Sequence, residues 1–147
     1  MKKYLILTAS AALFAVWAGL CSAQSDAPYT EGPVWTITMV KAKPGMTDDY
    51  LKNQTKNFKA FNDEAKKQGI IMDYKILLGD ASSPHDFDIL LMTEFKNMAA
   101  FDGMRAKLDP IADKLIGSED VQRQDAAKRM EIREIIGDKT MREVTLK

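Results

Sequence analysis

The sequence is short of the residues that most metal and nucleic-acid sites require. It has one cysteine, Cys21, one histidine, His85, and equal numbers of basic and acidic residues. Thiolate sites need cysteine, and we expect Cys21 to be removed with the segment that contains it. One histidine cannot build a zinc or facial-triad iron site, and a balanced charge is unlike a nucleic-acid-binding domain. We therefore predict no metal, no cofactor and no nucleic-acid partner.

Long apolar runs are also scarce, since the only one lies at the N-terminus. Two lysines come first, an uncharged stretch from Tyr4 to Leu20 follows, and Cys21 and Ala23 place small residues before a cut at Gln24. This order is typical of a cleavable secretory signal. We predict a signal peptide at 1–23 and an exported protein, periplasmic or secreted, without membrane attachment after cleavage. The alternative is an uncleaved anchor, although the run is near the lower limit of about 17 residues for a membrane span.

The rest of the chain predicts a short leader and one domain. Residues 24–33 are polar and contain Pro28, Gly32 and Pro33, which indicates a flexible leader. Residues 34–147 form the domain, whose β-branched and apolar runs predict strands at 34–43, 70–78, 87–95, 130–136 and 140–146. Helical spacing predicts helices at 47–68, from Asn97 to 117 with a fresh cap at Asp109-Pro110, and at 118–129.

This order of elements predicts an α+β fold of the ferredoxin-like, split βαβ kind, with helices on one face of the sheet. The short connection at 79–84 predicts that the second and third strands form an antiparallel hairpin. The charged residues of the second and fourth strands suit the edges of the sheet. The first and third strands would then be central. Both are apolar on both faces: Trp35, Ile37 and Met39 alternate with Val34, Thr36, Thr38 and Val40. Because the helices cover only one face, a second copy of the chain would have to cover the other. We therefore predict a homodimer.

Several features resemble the dimeric α/β-barrel superfamily over roughly Val34 to Ile136. They are the order of the elements, the Lys43-Pro44-Gly45 turn that leads into a helix, and the third strand followed by a helix that opens at Asn97. That superfamily includes antibiotic-biosynthesis-type monooxygenases, stress-responsive barrel proteins and haem-degrading monooxygenases. The C-terminal segment looks like that of uncharacterised exported bacterial proteins built on this plan.

The resemblance implies a ligand held between the helices and the sheet, but it does not assign an activity. Haem-degrading members use a histidine on the second helix, and residues 101–104 of this chain contain none. Haem degradation is therefore not expected here. The resemblance also implies one specific enzymatic alternative, a cofactor-independent monooxygenase that acts on an aromatic substrate.

Four aromatic side chains are the candidates for a ligand pocket: Trp35, Tyr50, Tyr74 and Phe101. Trp35, with Ile37 and Met39, forms the bulkier face of the first strand and is the expected lining. His85 is a further candidate at the rim, either as a general base beside Asp86 or as a solvated loop residue. The aromatic residues can equally be ordinary core. If no cavity of about 300 Å³ or more touches at least two of the four, the binding hypothesis loses its structural support.

Our first hypothesis is therefore an exported homodimer of unassigned activity that binds a small apolar or aromatic ligand. The monooxygenase is the second hypothesis, and a purely structural dimer is the third.

Overall fold

A computed structural model describes residues 27–147, so the predicted signal peptide at 1–23 lies outside the described residues. The described chain contains four strands: β1 (Tyr29–Ala42), β2 (Asp73–Leu78), β3 (Ile89–Phe95) and β4 (Arg133–Leu146). Its helical elements are α1 (Thr47–Gln54), a π-helical turn (Thr55–Lys59), α2 (Ala60–Lys67), a 3₁₀ turn (Met98–Phe101), α3 (Met104–Leu115) and α4 (Glu119–Met130).

The strands form one antiparallel sheet in the order β2-β3-β1-β4, which places β1 and β3 in the centre and β2 and β4 at the edges. The predicted α+β class, the hairpin of the second and third strands and the central positions are confirmed. The element order and the strand order fit the predicted split βαβ pattern.

The first strand begins earlier than predicted, at Tyr29. The stretch 29–33 of the expected leader is therefore part of the sheet, where Tyr29 pairs with Leu146 and Glu31 with Val144. The pairing shifts register between Glu31 and Val34. Pro33 lies in that irregularity, where a residue without a backbone N–H is tolerated.

The last strand is continuous, whereas the sequence predicts two strands around a turn at Gly137-Asp138. In the structure, Gly137 pairs with Met39, and the register shifts between Met39 and Val40. A β-bulge therefore replaces the predicted turn and lets one long strand follow the whole of β1.

The first predicted helix ends as expected, at Gly69, which adopts a left-handed conformation with φ +70°. The backbone N–H of Ile70 donates to the Ala65 carbonyl and that of Gly69 to the Lys66 carbonyl, both at 3.0 Å. These two bonds form a Schellman motif, in which glycine carries the left-handed residue without a Cβ penalty.

The predicted fresh cap at Asp109-Pro110 is wrong, because α3 runs through Pro110 without interruption. Pro110 is exposed. The carbonyl that loses its helical partner can therefore be solvated, which makes a proline inside the helix tolerable. Asn97 is a cap as predicted, since its Oδ1 accepts a hydrogen bond from the Ala100 N–H at 3.2 Å, but it caps the 3₁₀ turn. The helix predicted from Asn97 is interrupted after that turn, and α3 begins only at Met104.

The helices cover the face of β1 that carries Val34 and Val40, and both valines are fully buried. Val40 packs with Ala42, Tyr50 and Ile89 in one core cluster. A second cluster joins the other end of the sheet to α2 and α3 and consists of Ala65, Ile71, Phe95 and Ile111. Trp35, Ile37 and Met39 point to the opposite, outer face. The expectation that they line the space beneath the helices is therefore wrong.

Candidate functional site

An open cleft of about 670 Å³ lies between the inner face of the sheet and the helices. Its apolar side chains come from β1, β3, β4, the first helical segments and the end of α3: Val40, Leu91, Ile135, Phe58, Phe61 and Ile116. Its volume is within the range of about 300–1,000 Å³ that is usual for small-molecule sites. Below we call this space the inner cleft.

The charged groups of the inner cleft are mostly cations. Four arginines line it, Arg105, Arg123, Arg129 and Arg133, with two carboxylates, Glu119 and Asp138. Both carboxylates have partners. Glu119 forms an ion pair with Arg123 at 3.3 Å, and Asp138 accepts a hydrogen bond from the Thr38 hydroxyl at 2.6 Å. With four arginines and two carboxylates, the lining of the cleft has a net positive charge.

Arg129 and Arg133 have no such partner, because no described carboxylate lies within 4.0 Å of either guanidinium. Arg129 lies in the last turn of α4, and Arg133 is the first residue of β4. The Nε atom of Arg133 is buried and has no hydrogen-bond partner among the described residues. Burial lowers the pKa of Arg129, and repulsion by the charge of Arg133 lowers it further. Two cations thus share one end of the inner cleft.

Two buried polar side chains lie on the α1 side of the cleft. Tyr50 is 1% exposed and Gln54 is 5% exposed, and both line the space. Neither the Tyr50 hydroxyl nor the Gln54 amide makes a hydrogen bond with a described residue. Burial raises the pKa of the Tyr50 hydroxyl above its ordinary value, while the charges of Arg133 and Arg129 oppose that shift. Both groups are therefore available to a ligand.

The π-helical turn contributes a further part of the wall. It contains Asn57 and Phe58, both of which line the cleft. The Asn62 side chain donates to the Phe58 carbonyl at 2.7 Å and so satisfies a carbonyl in the widened turn. Turns of this kind are rare and occur often at functional sites.

Of the five sequence-predicted site residues, only Tyr50 lines the inner cleft. Trp35 lies on the outer face, where its indole donates to Glu143 at 3.1 Å. Phe101 packs on Phe95 in the second core cluster with ring centroids 4.7 Å apart. The inner cleft therefore touches one of the four aromatic candidates and not two, so the predicted set gives the binding hypothesis no support.

The other two predicted residues also lie elsewhere. Tyr74 packs edge-on against Phe58, and its hydroxyl donates to Asp63 at 2.5 Å. His85 is exposed in the loop between β2 and β3. The inner cleft therefore takes its polar groups from residues other than those that the sequence predicts.

Sequence reasoning missed Arg129 and Arg133 because their pattern indicates ordinary surface cations. Asp125 precedes Arg129 by four residues, the spacing of a helical ion pair. In the structure this pair does not approach within 4.0 Å, and Asp125 acts on Arg129 only at longer range. No local signal distinguishes these arginines from those of an exposed helix.

Within residues 27–147, no group of three histidine, cysteine or acidic side chains is arranged to hold a metal ion. No helix in the same range is both long and apolar enough to cross a membrane.

No protein-family model matches the chain, and no curated protein matches it. Among solved structures, HapK from Hahella chejuensis is similar with a TM-score of 0.48 and 9% identity, over 75% of this chain and 91% of that one. A match this distant transfers neither activity nor site residues. Membership of the dimeric α/β-barrel superfamily stays a prediction.

Proposed function

We propose that this protein is an exported homodimer that binds a small, largely apolar molecule in the inner cleft. The observation that carries the binding role is the inner cleft itself: an apolar surface of useful volume, with unpaired polar groups at one end. Small-molecule sites generally combine such a surface with a few polar groups that fix orientation.

The homodimer is proposed from the outer face of the sheet. Its centre carries the apolar side chains of Trp35, Ile37, Met39, Leu90 and Met92, whereas the two core clusters pack the described helices on the opposite face. Leu77 and Met141 extend this surface onto the two edge strands, and both are about half exposed. Monomeric proteins rarely leave such a continuous apolar surface in contact with water.

The charges around this centre favour a second copy over another partner. Lys75 and Lys139 lie on the same face as Asp73 and Glu94. In a two-fold interface a surface meets its own copy, so a face with both signs of charge can pair with itself. We expect the dimer to bury more than about 1,200 Å² in total.

Export is proposed from the sequence at 1–23, and the mass of the exported chain tests it. A chain that begins at Gln24 would support the proposal, and a chain that still begins at Met1 in the membrane fraction would favour the anchor.

A pair of neighbouring alanines on α4 provides a matched test of the inner cleft. Ala126 lines the cleft and Ala127 is exposed to solvent. Ala126→Phe should reduce the fluorescence enhancement of Nile red, a neutral apolar probe, because the larger side chain fills the space. Ala127→Phe should leave it unchanged. Equal probe binding by both variants would show that the inner cleft is not the site.

The alternative, a cofactor-independent monooxygenase, differs in one measurable respect. A binding protein should consume no oxygen when it is mixed with quinol-type aromatic substrates. Oxygen uptake that depends on the protein, and that Ala126→Phe abolishes, would replace the binding role with catalysis in the same cleft.

A further inference from the structure

The inner cleft has an excess of positive charge at one end that the protein does not neutralise. Glu119 forms an ion pair with Arg123, and Asp138 accepts a hydrogen bond from Thr38. Arg129 and Arg133 have no described carboxylate within 4.0 Å. Both side chains are half-buried, and a cation that loses part of its hydration ordinarily has an anionic partner, because desolvation without one is unfavourable.

The local geometry keeps these two arginines close to each other instead of separating them. The short connection from α4 to β4 leaves only three residues between Arg129 and Arg133, and both arginines line the inner cleft. The backbone N–H of Ile132 donates to the Arg129 carbonyl at 3.2 Å, and its own carbonyl accepts from the Lys43 N–H at 3.0 Å. The connection is therefore tied both to α4 and to the end of β1, which limits how far the guanidinium groups can separate.

The neutral groups beside the arginines are also suited to an anion. The guanidinium carbon of Arg133 lies 5.8 Å from the centroid of the Tyr50 ring. Tyr50 can donate its hydroxyl hydrogen, and the Gln54 amide can donate as well. Gln54 is 5% exposed, lines the cleft and has no described partner. The pair of cations thus has unused neutral donors within the same cleft.

We propose that the ligand of the inner cleft is an apolar carboxylic acid in its ionised form, with its carboxylate held by Arg129 and Arg133 and its body against Val40, Phe58 and Leu91. This inference rests on the proposed binding function and names the chemical class of its ligand. Planar guanidinium groups match the two oxygens of a carboxylate, and such charge-assisted bonds are stronger than neutral ones.

Two probes of the same shape test the assignment by calorimetry: naphthoate, which is anionic, and naphthamide, its neutral counterpart. Naphthoate should bind the native protein at least about tenfold more tightly, which is the scale of one hydrogen bond to a charged group. Arg129→Gln and Arg133→Gln should each lower the affinity for naphthoate by about tenfold and leave the affinity for naphthamide nearly unchanged. If Arg133→Gln does not fold, Arg129→Gln alone decides the test.

The control is Lys128→Gln, which removes one positive charge from the same turn of α4 at an exposed position outside the cleft. It should bind both probes as the native protein does. Equal affinity of the native protein for the two probes would overturn the carboxylate assignment. It would also be overturned if Lys128→Gln lowered the affinity for naphthoate as much as the arginine variants do.

The outcomes also separate this inference from the proposed function. A protein that binds Nile red in the inner cleft but does not prefer naphthoate keeps its binding role and loses the carboxylate assignment. A protein that binds neither Nile red nor naphthoate loses both.

Discussion

Arg133, the first residue of β4, holds its guanidinium over the ring of Tyr50, with its central carbon 5.8 Å from the ring centroid. Tyr50 belongs to α1, so this contact joins the start of the last strand to the first helix. The same tyrosine packs in the core with Val40, Ala42 and Ile89 and lines the inner cleft. Core packing and the candidate site therefore share one side chain.

Tyr50→Ala should lower the free energy of unfolding by about 3–5 kcal/mol, as usual when a buried aromatic residue becomes alanine. Tyr50→Phe should cost less than about 1 kcal/mol, because the hydroxyl has no described hydrogen-bond partner to lose. Urea denaturation followed by circular dichroism measures both. A similar loss in the two variants would mean that the hydroxyl, and not the ring, stabilises the fold.

Ile37 and Val40 lie on opposite faces of β1 and separate assembly from folding. Ile37→Glu should give a folded monomer, because a charge on the outer face opposes the proposed self-association. Val40→Glu should unfold the chain, because it buries a carboxylate in the core. Light scattering at micromolar concentration and circular dichroism report the two effects. A native protein that is monomeric in this assay would exclude the homodimer, and an Ile37→Glu dimer would exclude the outer face.

Gly69→Ala should lower the free energy of unfolding by about 1–2 kcal/mol, the cost of a left-handed conformation for a residue with a Cβ atom. A methyl group at this position would meet no atom within 4 Å, so the loss would come from backbone conformation alone. Gly79→Ala is the control, since this exposed glycine does not have a positive φ. Thermal unfolding compares them, and equal stability of both variants would contradict the conformational explanation.

Asp63→Asn should reduce stability at neutral pH and make little difference in acid. Asp63 accepts hydrogen bonds from Lys59 and from Tyr74, each at 2.5 Å. These bonds hold the pKa of Asp63 below its ordinary value of 3.8, and the bond from Lys59 has the larger effect. A carboxyl group whose pKa is lowered on folding stabilises the protein above its unfolded-state pKa and loses that effect as pH falls through the folded-state pKa.

The difference in thermal midpoint between native protein and Asp63→Asn should therefore be constant near neutrality and shrink below about pH 4. The effect should be small because the charged pair, Lys59 and Asp63, is exposed. Asp80 is a loop residue whose carboxylate makes no hydrogen bond with a described residue. The difference between native protein and Asp80→Asn should show no comparable dependence on pH. A difference for Asp63→Asn that persists unchanged into acid would show that the carboxylate charge is not the cause.

The sequence by itself determined the local structure. The two-residue alternation in 34–40 specified a strand, and the short polar connection after Leu78 specified a hairpin. Gly69 ended a helix and Asn97 capped the next turn because these effects depend on neighbouring backbone groups only. The charges in the second and fourth strands indicated sheet edges, since a charged side chain is tolerated where one side of a strand is unpaired.

The tertiary structure decided what depends on distant residues. Alternation shows that Trp35 and Ile37 share a face, but not which face the helices cover, because both faces are apolar. Strand pairing decided the bounds of β1 and β4. β1 extends back to Tyr29, and β4 continues through Gly137, because the two strands pair with each other along this length. The inner cleft is likewise a product of packing. The sequence around Arg129 and Arg133 is that of ordinary surface cations. Only the packing of α1 and the sheet leaves them half-buried with no described carboxylate nearby.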